Sequence, residues 1–315
     1  MTPDHSSFDP NAQWGAGLVG LVVATILYGI TCVQTFTYYN RCGRDPLWLK
    51  LLVAILWVLD TAHSGTITHT VYFSVIIHFS QPQANIVWSQ PVDVYLTSTV
   101  AWIVQSFLIF RIWSMSQGII RYASVVTLFL VTSLGFTMGI AYASKVLQIK
   151  AIARIPETAS LMNVALGCTV AGDILLTICM SFLLARSRTG LERTDTVIGT
   201  LIKYTVRNGL LTSTCAFLDV VMHIALPTTQ AFLAFYCLLA KLYTNTFLAT
   251  LNARDVLRNK AECTDRSSIK FDTDTEIRPS GRNFSEGTIE QSLRSQTVKG
   301  TESQHHIETK AQIEG

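Results

Sequence analysis

The chain has 315 residues, of which 49% are apolar and only 14% are charged, and its formal net charge is +3. An ordinary soluble domain carries about 25% charged residues, and the mean hydropathy of this chain is +0.36. Much of the charge lies after Asn252, so the residues before it are too apolar to form a water-facing surface. These values exclude a soluble globular enzyme and indicate a polytopic membrane protein.

Seven apolar stretches are long enough to cross a hydrocarbon core about 30 Å thick as α-helices, each of which needs about 20 residues. All eight prolines fall outside these stretches, where they delete no internal helix hydrogen bond. The predicted fold class is therefore all-α, a bundle of seven transmembrane helices. The predicted spans are Gly15–Tyr38, Leu49–Phe73, Val92–Trp113, Tyr122–Ala143, Leu161–Leu184, Leu201–Ala225 and Thr229–Leu251.

The basic residues predict the orientation, because cytosolic loops carry an excess of Lys and Arg. One set of alternate segments holds Arg41, Arg44, Lys50, Arg111, Arg121, Arg186, Arg188, Arg193, Lys203, Arg254, Arg258 and Lys260. The opposite set holds only Lys145, Lys150 and Arg154. We therefore expect the N-terminus outside and the C-terminus in the cytosol.

Three regions follow from this pattern: an extracellular N-terminus over 1–14, a transmembrane domain over 15–251, and a tail over 252–315. The tail is rich in Ser, Thr and charged residues and has no hydrophobic period. Such a segment cannot bury enough apolar area to offset the entropy lost on ordering. We predict that it is a disordered cytosolic tail.

Three groups of motifs stand out. They are Asp45-Pro46-Leu47-Trp48-Leu49-Lys50 with Leu56-Trp57-Val58-Leu59-Asp60-Thr61-Ala62-His63, then Arg193-Thr194-Asp195 with Asn208-Gly209-Leu210-Leu211-Thr212-Ser213, and Ala240-Lys241-Leu242-Tyr243-Thr244-Asn245 with Ala249-Thr250-Leu251-Asn252-Ala253-Arg254. Together they resemble a domain-of-unknown-function family of seven-helix membrane proteins from mushroom-forming fungi. The resemblance covers roughly 15–254. It implies the seven-span fold and a fungal membrane location, and it implies no activity, substrate or cofactor.

Ionisable residues inside the spans indicate a structural or functional role, because inserting each one near the bilayer centre costs about 2.5–3.5 kcal/mol. Asp60, Asp173 and Lys241 each lie about twelve residues into a span, which a rise of ~1.5 Å per residue places near the midplane. The spacing of three or four residues puts His63 on the face of Asp60, and His223 on the face of Asp219. The candidate polar network or ligand site comprises Asp60, His63, Asp173, Asp219, His223, Lys241 and Asn245.

Two interpretations of these residues stay open. In one, they form a structural network that fixes helix register, with Lys241 neutralised by Asp60 or Asp173. In the other, they line a ligand, ion or proton site within the bundle. The two are compatible, since paired charges at the midplane serve both.

Three functional hypotheses follow, led by a non-catalytic receptor- or sensor-like protein. The seven-span topology, basic inner loops and Ser/Thr-rich tail favour it, although the third span ends Phe110-Arg111-Ile112-Trp113 rather than in the acidic-Arg-aromatic triplet typical of rhodopsin-like receptors. The second is a small-molecule or proton-coupled transporter with three-plus-one-plus-three helices, in which Asp60 and His63 correspond to Asp219 and His223.

The third hypothesis is an intramembrane zinc-dependent lipid hydrolase, because zinc prefers His and Asp ligands. The only candidate zinc ligands are His63, His69, His78 and His223 with Asp60 and Asp219. No HxxxH or HExxH spacing is present. No catalytic residue, metal ligand or cofactor is therefore assigned. The expected partners are the lipid bilayer, a small-molecule ligand and a cytosolic signalling partner at the basic loops and tail, but no nucleic acid. The expected location is the plasma membrane or an endomembrane, with multiple spans.

Overall fold

A computed structural model describes residues 10–41, 45–77, 85–149, 151–187, 192–225 and 232–276. These residues are helical almost throughout, and their only β pairing is a single bridge between Asn85 and Ala151. The long helices are α1 Pro10–Arg41, α2 Leu47–Tyr72, α3 Ser89–Met115, α4 Gly118–Ile149, α5 Ala159–Arg186, α6 Glu192–Ala225 and α7 Phe232–Glu276. A π-helical turn, Phe73–Ile77, extends α2, and a 3₁₀ helix, Ile152–Thr158, precedes α5.

Within the described ranges, seven helices are long and apolar enough to cross a membrane. Each overlaps one predicted span, so the prediction of an all-α seven-helix bundle is confirmed. The helix ends differ from the predicted ones, since α1 begins at Pro10 and α7 continues to Glu276. The predicted tail starts at residue 252, and its first part, 252–276, is helical as the end of α7. Residues 1–9 and 277–315 lie outside the described residues. Disorder of 277–315 and the orientation of the termini stay predictions.

Consecutive helices run in alternating directions. Along α2 and α3, the contact of His63 with Thr97 is followed by that of Thr70 with Ser89, so rising numbers on one helix meet falling numbers on the other. The same holds for α3 and α4, where Tyr95 bonds Ser144 and Trp102 bonds Ser133. As a result α3, α5 and α7 begin at the end of the bundle where α4 and α6 finish.

The first and last helices pack side by side and run parallel. Asn245 Nδ2 donates to the carbonyl of Leu27 at 3.0 Å, and seven residues further along each helix Asn252 Nδ2 donates to the carbonyl of Gln34 at 3.0 Å. Seven residues are about two helical turns, so the two asparagines lie on one face of α7. This pairing closes the bundle between α1 and α7.

The bundle has apolar side chains outside and polar side chains inside, which is the pattern of a helix bundle in lipid. Val19, Phe36 and Leu130 are 64%, 71% and 63% exposed, while Asp60 and Lys241 are fully buried. The most enclosed of these helices is α7. In its membrane-spanning part 67% of the residues of an apolar stretch are buried, against 22% for α1. The polar residues of α7 are therefore the ones that meet several neighbours.

Replacing Gly20 by Val should weaken the α1–α7 contact. A Cβ at Gly20 would lie 2.6 Å from the Cα of Ala234 and 2.9 Å from its carbonyl oxygen, so the α7 backbone would have to move. Such overpacking costs about 1–3 kcal/mol. The measurement is the thermal unfolding midpoint of the purified protein, with Gly29→Val as the matched control, because a Cβ at Gly29 meets nothing within 4 Å. Equal midpoints for the two variants would contradict the close α1–α7 approach.

Candidate functional site

A stripe of buried polar side chains follows one face of α3. Asp93, Thr97 and Gln105 are separated by four and eight residues, a spacing that keeps them on one side of a helix. They are 3%, 5% and 3% exposed, so the whole stripe faces the bundle interior. We call these three residues the α3 stripe, and each of them contacts a different polar group.

Asp93 lies at the top of the α3 stripe, four residues after the start of α3. Its carboxylate accepts a hydrogen bond from Thr66 Oγ1 and lies 3.4 Å from Thr70 Oγ1, both on α2. Thr70 Oγ1 is 2.7 Å from Ser89 Oγ, which is 3.0 Å from His69 Nδ1. Hydroxyl groups thus surround the carboxylate on the α2 side.

Asp93 also faces a cavity of about 330 Å³ on the opposite side. The cavity lies where α3, α5 and α7 begin and α4 and α6 end, and we call it the end cavity. Its wall is mainly apolar and aromatic, with Phe232, Tyr142 and Tyr236 as its rings. The polar groups in the wall are Asp93, Gln90, Asn163, His223 and the two tyrosine hydroxyls.

A smaller void of about 40 Å³ lies next to the end cavity, further into the bundle. Val94, Met162 and Tyr236 line both spaces, and the other two residues of the α3 stripe, Thr97 and Gln105, line the smaller one. A water molecule needs roughly 10–15 Å³ of such volume and a few polar partners. The void therefore has room for water beside the α3 stripe.

His63 contacts the α3 stripe at Thr97, whose Oγ1 is 3.0 Å from His63 Nε2. The imidazole is fully buried, and its Nδ1 has no hydrogen-bond partner among the described residues. One helical turn earlier on α2 lies Asp60. The histidine thus stands between the α3 stripe and the next polar group.

Asp60 and Lys241 form a fully buried ion pair between α2 and α7. Lys241 Nζ lies 2.7 Å from Asp60 Oδ1, 2.7 Å from the Asp60 carbonyl oxygen and 2.7 Å from Ser64 Oγ. An ammonium group has three N–H donors, so these three acceptors satisfy all of them. The ring of Tyr28 lies 5.1 Å from Nζ and adds a cation–π contact from α1.

Asp173 belongs to a different network, on the other side of α7. It accepts hydrogen bonds from Gln105 Nε2 at 2.9 Å and from Tyr243 Oη at 2.7 Å. Lys241 and Tyr243 are two residues apart, which is about 200° around a helix. The structure therefore joins Asp173 to the α3 stripe at Gln105, and it joins Lys241 to Asp60.

Asp219 and His223 of α6 lie in unlike surroundings. Asp219 is fully buried, and neither carboxylate oxygen has a hydrogen-bond partner among the described residues. His223 lines the end cavity and meets the ring of Phe232 edge-on, with centroids 5.1 Å apart. Asp60 and His63 instead have charged and hydroxyl partners, so the two Asp–His pairs differ in their contacts.

Asn245 lies on the face of α7 that packs on α1. Its Nδ2 donates to the carbonyls of Leu27 at 3.0 Å and of Lys241 at 2.9 Å. These bonds stabilise the packing of α7 on α1. Asn245 lies four residues after Lys241, but its side chain is not part of the ion pair.

No three His, Cys, Asp or Glu side chains come together as a metal-binding group within the described ranges. His63 and His223, two of the residues considered for zinc, bond to Thr97 and contact Phe232, respectively. His78 lies outside the described residues. The geometry gives the zinc hydrolase hypothesis no donor set in this part of the chain.

Sequence reasoning missed the end cavity and the role of Asp93. Asp93 falls at the edge of the predicted third span, whereas α3 begins earlier, at Ser89, and brings Asp93 inside the bundle. The available signal was the spacing of four and eight residues between Asp93, Thr97 and Gln105. The cavity itself depends on how five helices meet, which no spacing within one helix reveals.

The fold and its interior define the class: this chain is a multi-pass integral membrane protein built as an α-helical bundle. Residues 169–256 match the model of a family of unknown function, DUF6534. The matched segment covers most of α5, all of α6 and the membrane part of α7, and so includes Asp173, Asp219 and Lys241. No curated protein and no solved structure matches the chain. The match supports the predicted resemblance to an uncharacterised family, and fungal origin stays a prediction.

Proposed function

We propose that this protein is a receptor- or sensor-like membrane protein that binds a small, largely apolar molecule in the end cavity. The observation that carries the proposal is the cavity of about 330 Å³, mostly apolar, with a few converging polar groups. Binding sites for small molecules have volumes of about 300–1,000 Å³ and this same composition. By the distribution of basic residues the end cavity faces outside, where a ligand arrives from the surroundings.

The lining favours binding over catalysis. None of the described residues in the cavity wall is a Ser, Thr, Cys or Lys, the side chains that most often act as nucleophiles. The nearest buried lysine, Lys241, has all three N–H groups engaged by Asp60 and Ser64. The polar groups at the wall are suited to orienting a ligand.

The α3 stripe gives a route by which binding changes the interior. Asp93 lies at the cavity, Thr97 holds His63, and Gln105 holds Asp173. A ligand that shifts α3 therefore acts on both buried networks, including the contact from Gln105 through Asp173 to Tyr243 of α7. The basic loops and the tail, which the distribution of Lys and Arg predicts to be cytosolic, provide the surface for a cytosolic signalling partner.

Replacing Ala159 by Phe should abolish binding, because Ala159 lines the end cavity and a phenyl ring there fills much of it. The measurement is the shift in thermal unfolding midpoint when the purified protein meets a library of lipophilic molecules sized to the cavity. We expect hits with the wild type that disappear with Ala159→Phe.

The matched control is Ala185→Phe, which changes an exposed alanine on the same helix and should keep the hits. Hits that survive in Ala159→Phe would place binding elsewhere and overturn the proposal. Accumulation of a hit inside proteoliposomes would instead favour the transporter hypothesis over the receptor.

A further inference from the structure

We infer that the ligand of the end cavity carries a cationic nitrogen on an apolar body, and that Asp93 is its anchor. This inference rests on the proposed function, since it specifies the chemistry of the molecule that the cavity takes. The charges, the unpaired acceptors and the aromatic rings around the cavity support it.

Asp93 has hydroxyl partners but no cationic one. The described residues in the cavity wall include no Lys or Arg, and the contacts of Asp93 on the α2 side are with Thr66 and Thr70. His69 approaches Ser89 rather than the carboxylate. Lys241 lies within electrostatic range of Asp93, but it makes no direct contact with that carboxylate, because its three donors are used by Asp60 and Ser64.

A carboxylate has about four lone-pair sites, so two hydroxyl contacts leave acceptor capacity on the cavity side. A buried carboxylate without a counter-charge is costly, and a paired one is much less so. A bound cation supplies the missing counter-charge. A neutral hydroxyl ligand would donate a hydrogen bond to the carboxylate but would leave its charge without a counter-charge.

A second buried carboxyl group lies near the cavity. Asp219 is fully buried, neither oxygen has a partner in the described part of the chain, and it lies within electrostatic range of Tyr142 and Tyr236. Both tyrosines line the end cavity. Asn163, also in the wall, has a buried Oδ1 that no described residue bonds. The unsatisfied atoms around the cavity are thus oxygen acceptors, which match a ligand with N–H donors.

The aromatic wall fits the same ligand. Tyr142, Tyr236 and Phe232 line the cavity together with Asp93, and the faces of such rings attract a cation. His223 is the one imidazole in the described wall, and its ring is turned edge-on to Phe232. An aromatic or alkyl amine therefore satisfies the rings and the carboxylate at once.

The test compares two probes that share a skeleton, phenylbutylamine and phenylbutanol, on the purified full-length protein. Affinities are measured by titration calorimetry, and Ala159→Phe serves as the blank for partition into detergent. We expect the amine to bind the wild type at least about tenfold more tightly than the alcohol, because only the amine brings a counter-charge to Asp93. In Asp93→Asn, which keeps the size and an acceptor for the threonines, this ratio should fall to about one.

The control is Glu157→Gln, which makes the same chemical change near the cavity but on an exposed side chain paired with Arg154. It should keep the wild-type ratio. The wild-type ratio alone decides the charge preference, whether or not Asp93→Asn folds.

Each result has a definite consequence. Equal binding of the two probes, blocked by Ala159→Phe, would overturn the cationic ligand and leave the proposed function standing. A ratio that persists in Asp93→Asn would overturn Asp93 as the anchor. If neither probe binds but neutral library hits do bind in the cavity, this inference alone is overturned. If no molecule binds, the proposed function is overturned with it.

Discussion

Replacing Lys241 by Met should lower the free energy of unfolding by about 3–5 kcal/mol, the range for removing one partner of a buried ion pair. Asp60 is fully buried, and without the ammonium its charge has no counter-charge at that depth. The Asp60 carbonyl and Ser64 Oγ lose a donor at the same time. We expect a large drop in the thermal unfolding midpoint in detergent and a smaller monodisperse fraction on size exclusion.

Two further variants separate the charge from simple loss of a side chain. Lys145→Met changes an exposed lysine and should leave the midpoint nearly unchanged. The double variant Asp60→Asn with Lys241→Met removes both charges, so it should recover more than about half of the loss. A double variant as unstable as Lys241→Met would show that packing of the lysine stem, and not the unpaired carboxylate, sets the cost.

The number of helices and their positions could be predicted from the sequence, because each predicted span is a long apolar run without a proline. Counting residues from the start of each span predicts similar depths for Asp60, Asp173 and Lys241. It could not choose the partner of Lys241, since that choice depends on how α7 is rotated against its neighbours. In the structure α7 turns Lys241 to α2 and Tyr243 to α5.

The motifs that carry the family resemblance meet in space, although they are far apart in sequence. Asp60 from the first group pairs with Lys241 from the third, and Asp45 from the first pairs with Arg254 from the third at 2.6–2.7 Å. Tyr38 also donates to Asp45 at 3.0 Å. Sequence spacing alone cannot show such pairs, because the chain between them has to fold first.

The end cavity marks the limit of what sequence spacing shows about the site. His223 could be placed near one end of α6 from its position, but not opposite Asp93 and Tyr142, which come from other helices. A cavity is the space that packing leaves empty, and it is set by the shapes of all five helices. The sequence therefore predicted ionisable residues inside the spans, and it left the location of the proposed ligand site open.

Replacing Asp173 by Leu should cost about 2–5 kcal/mol, because Gln105 Nε2 and Tyr243 Oη each lose their acceptor inside the bundle. A buried donor left without a partner costs about 1–3 kcal/mol, and here there are two. Asp173→Asn retains one acceptor oxygen and a similar shape, so its cost should be smaller. The measurement is again the thermal unfolding midpoint of the purified protein.

The hydrogen bond with Tyr243 is isolated by a double-mutant cycle. Tyr243→Phe removes only the hydroxyl, so the combination with Asp173→Leu should cost clearly less than the sum of the two single changes, by about 0.5–3 kcal/mol. This follows because the Tyr243→Phe side chain has no hydroxyl donor, so none is left unpaired when the carboxylate is removed. Strict additivity of the two changes would mean that the bond at 2.7 Å contributes nothing to stability, and that Asp173 acts through its other partners, Gln105 and Thr212.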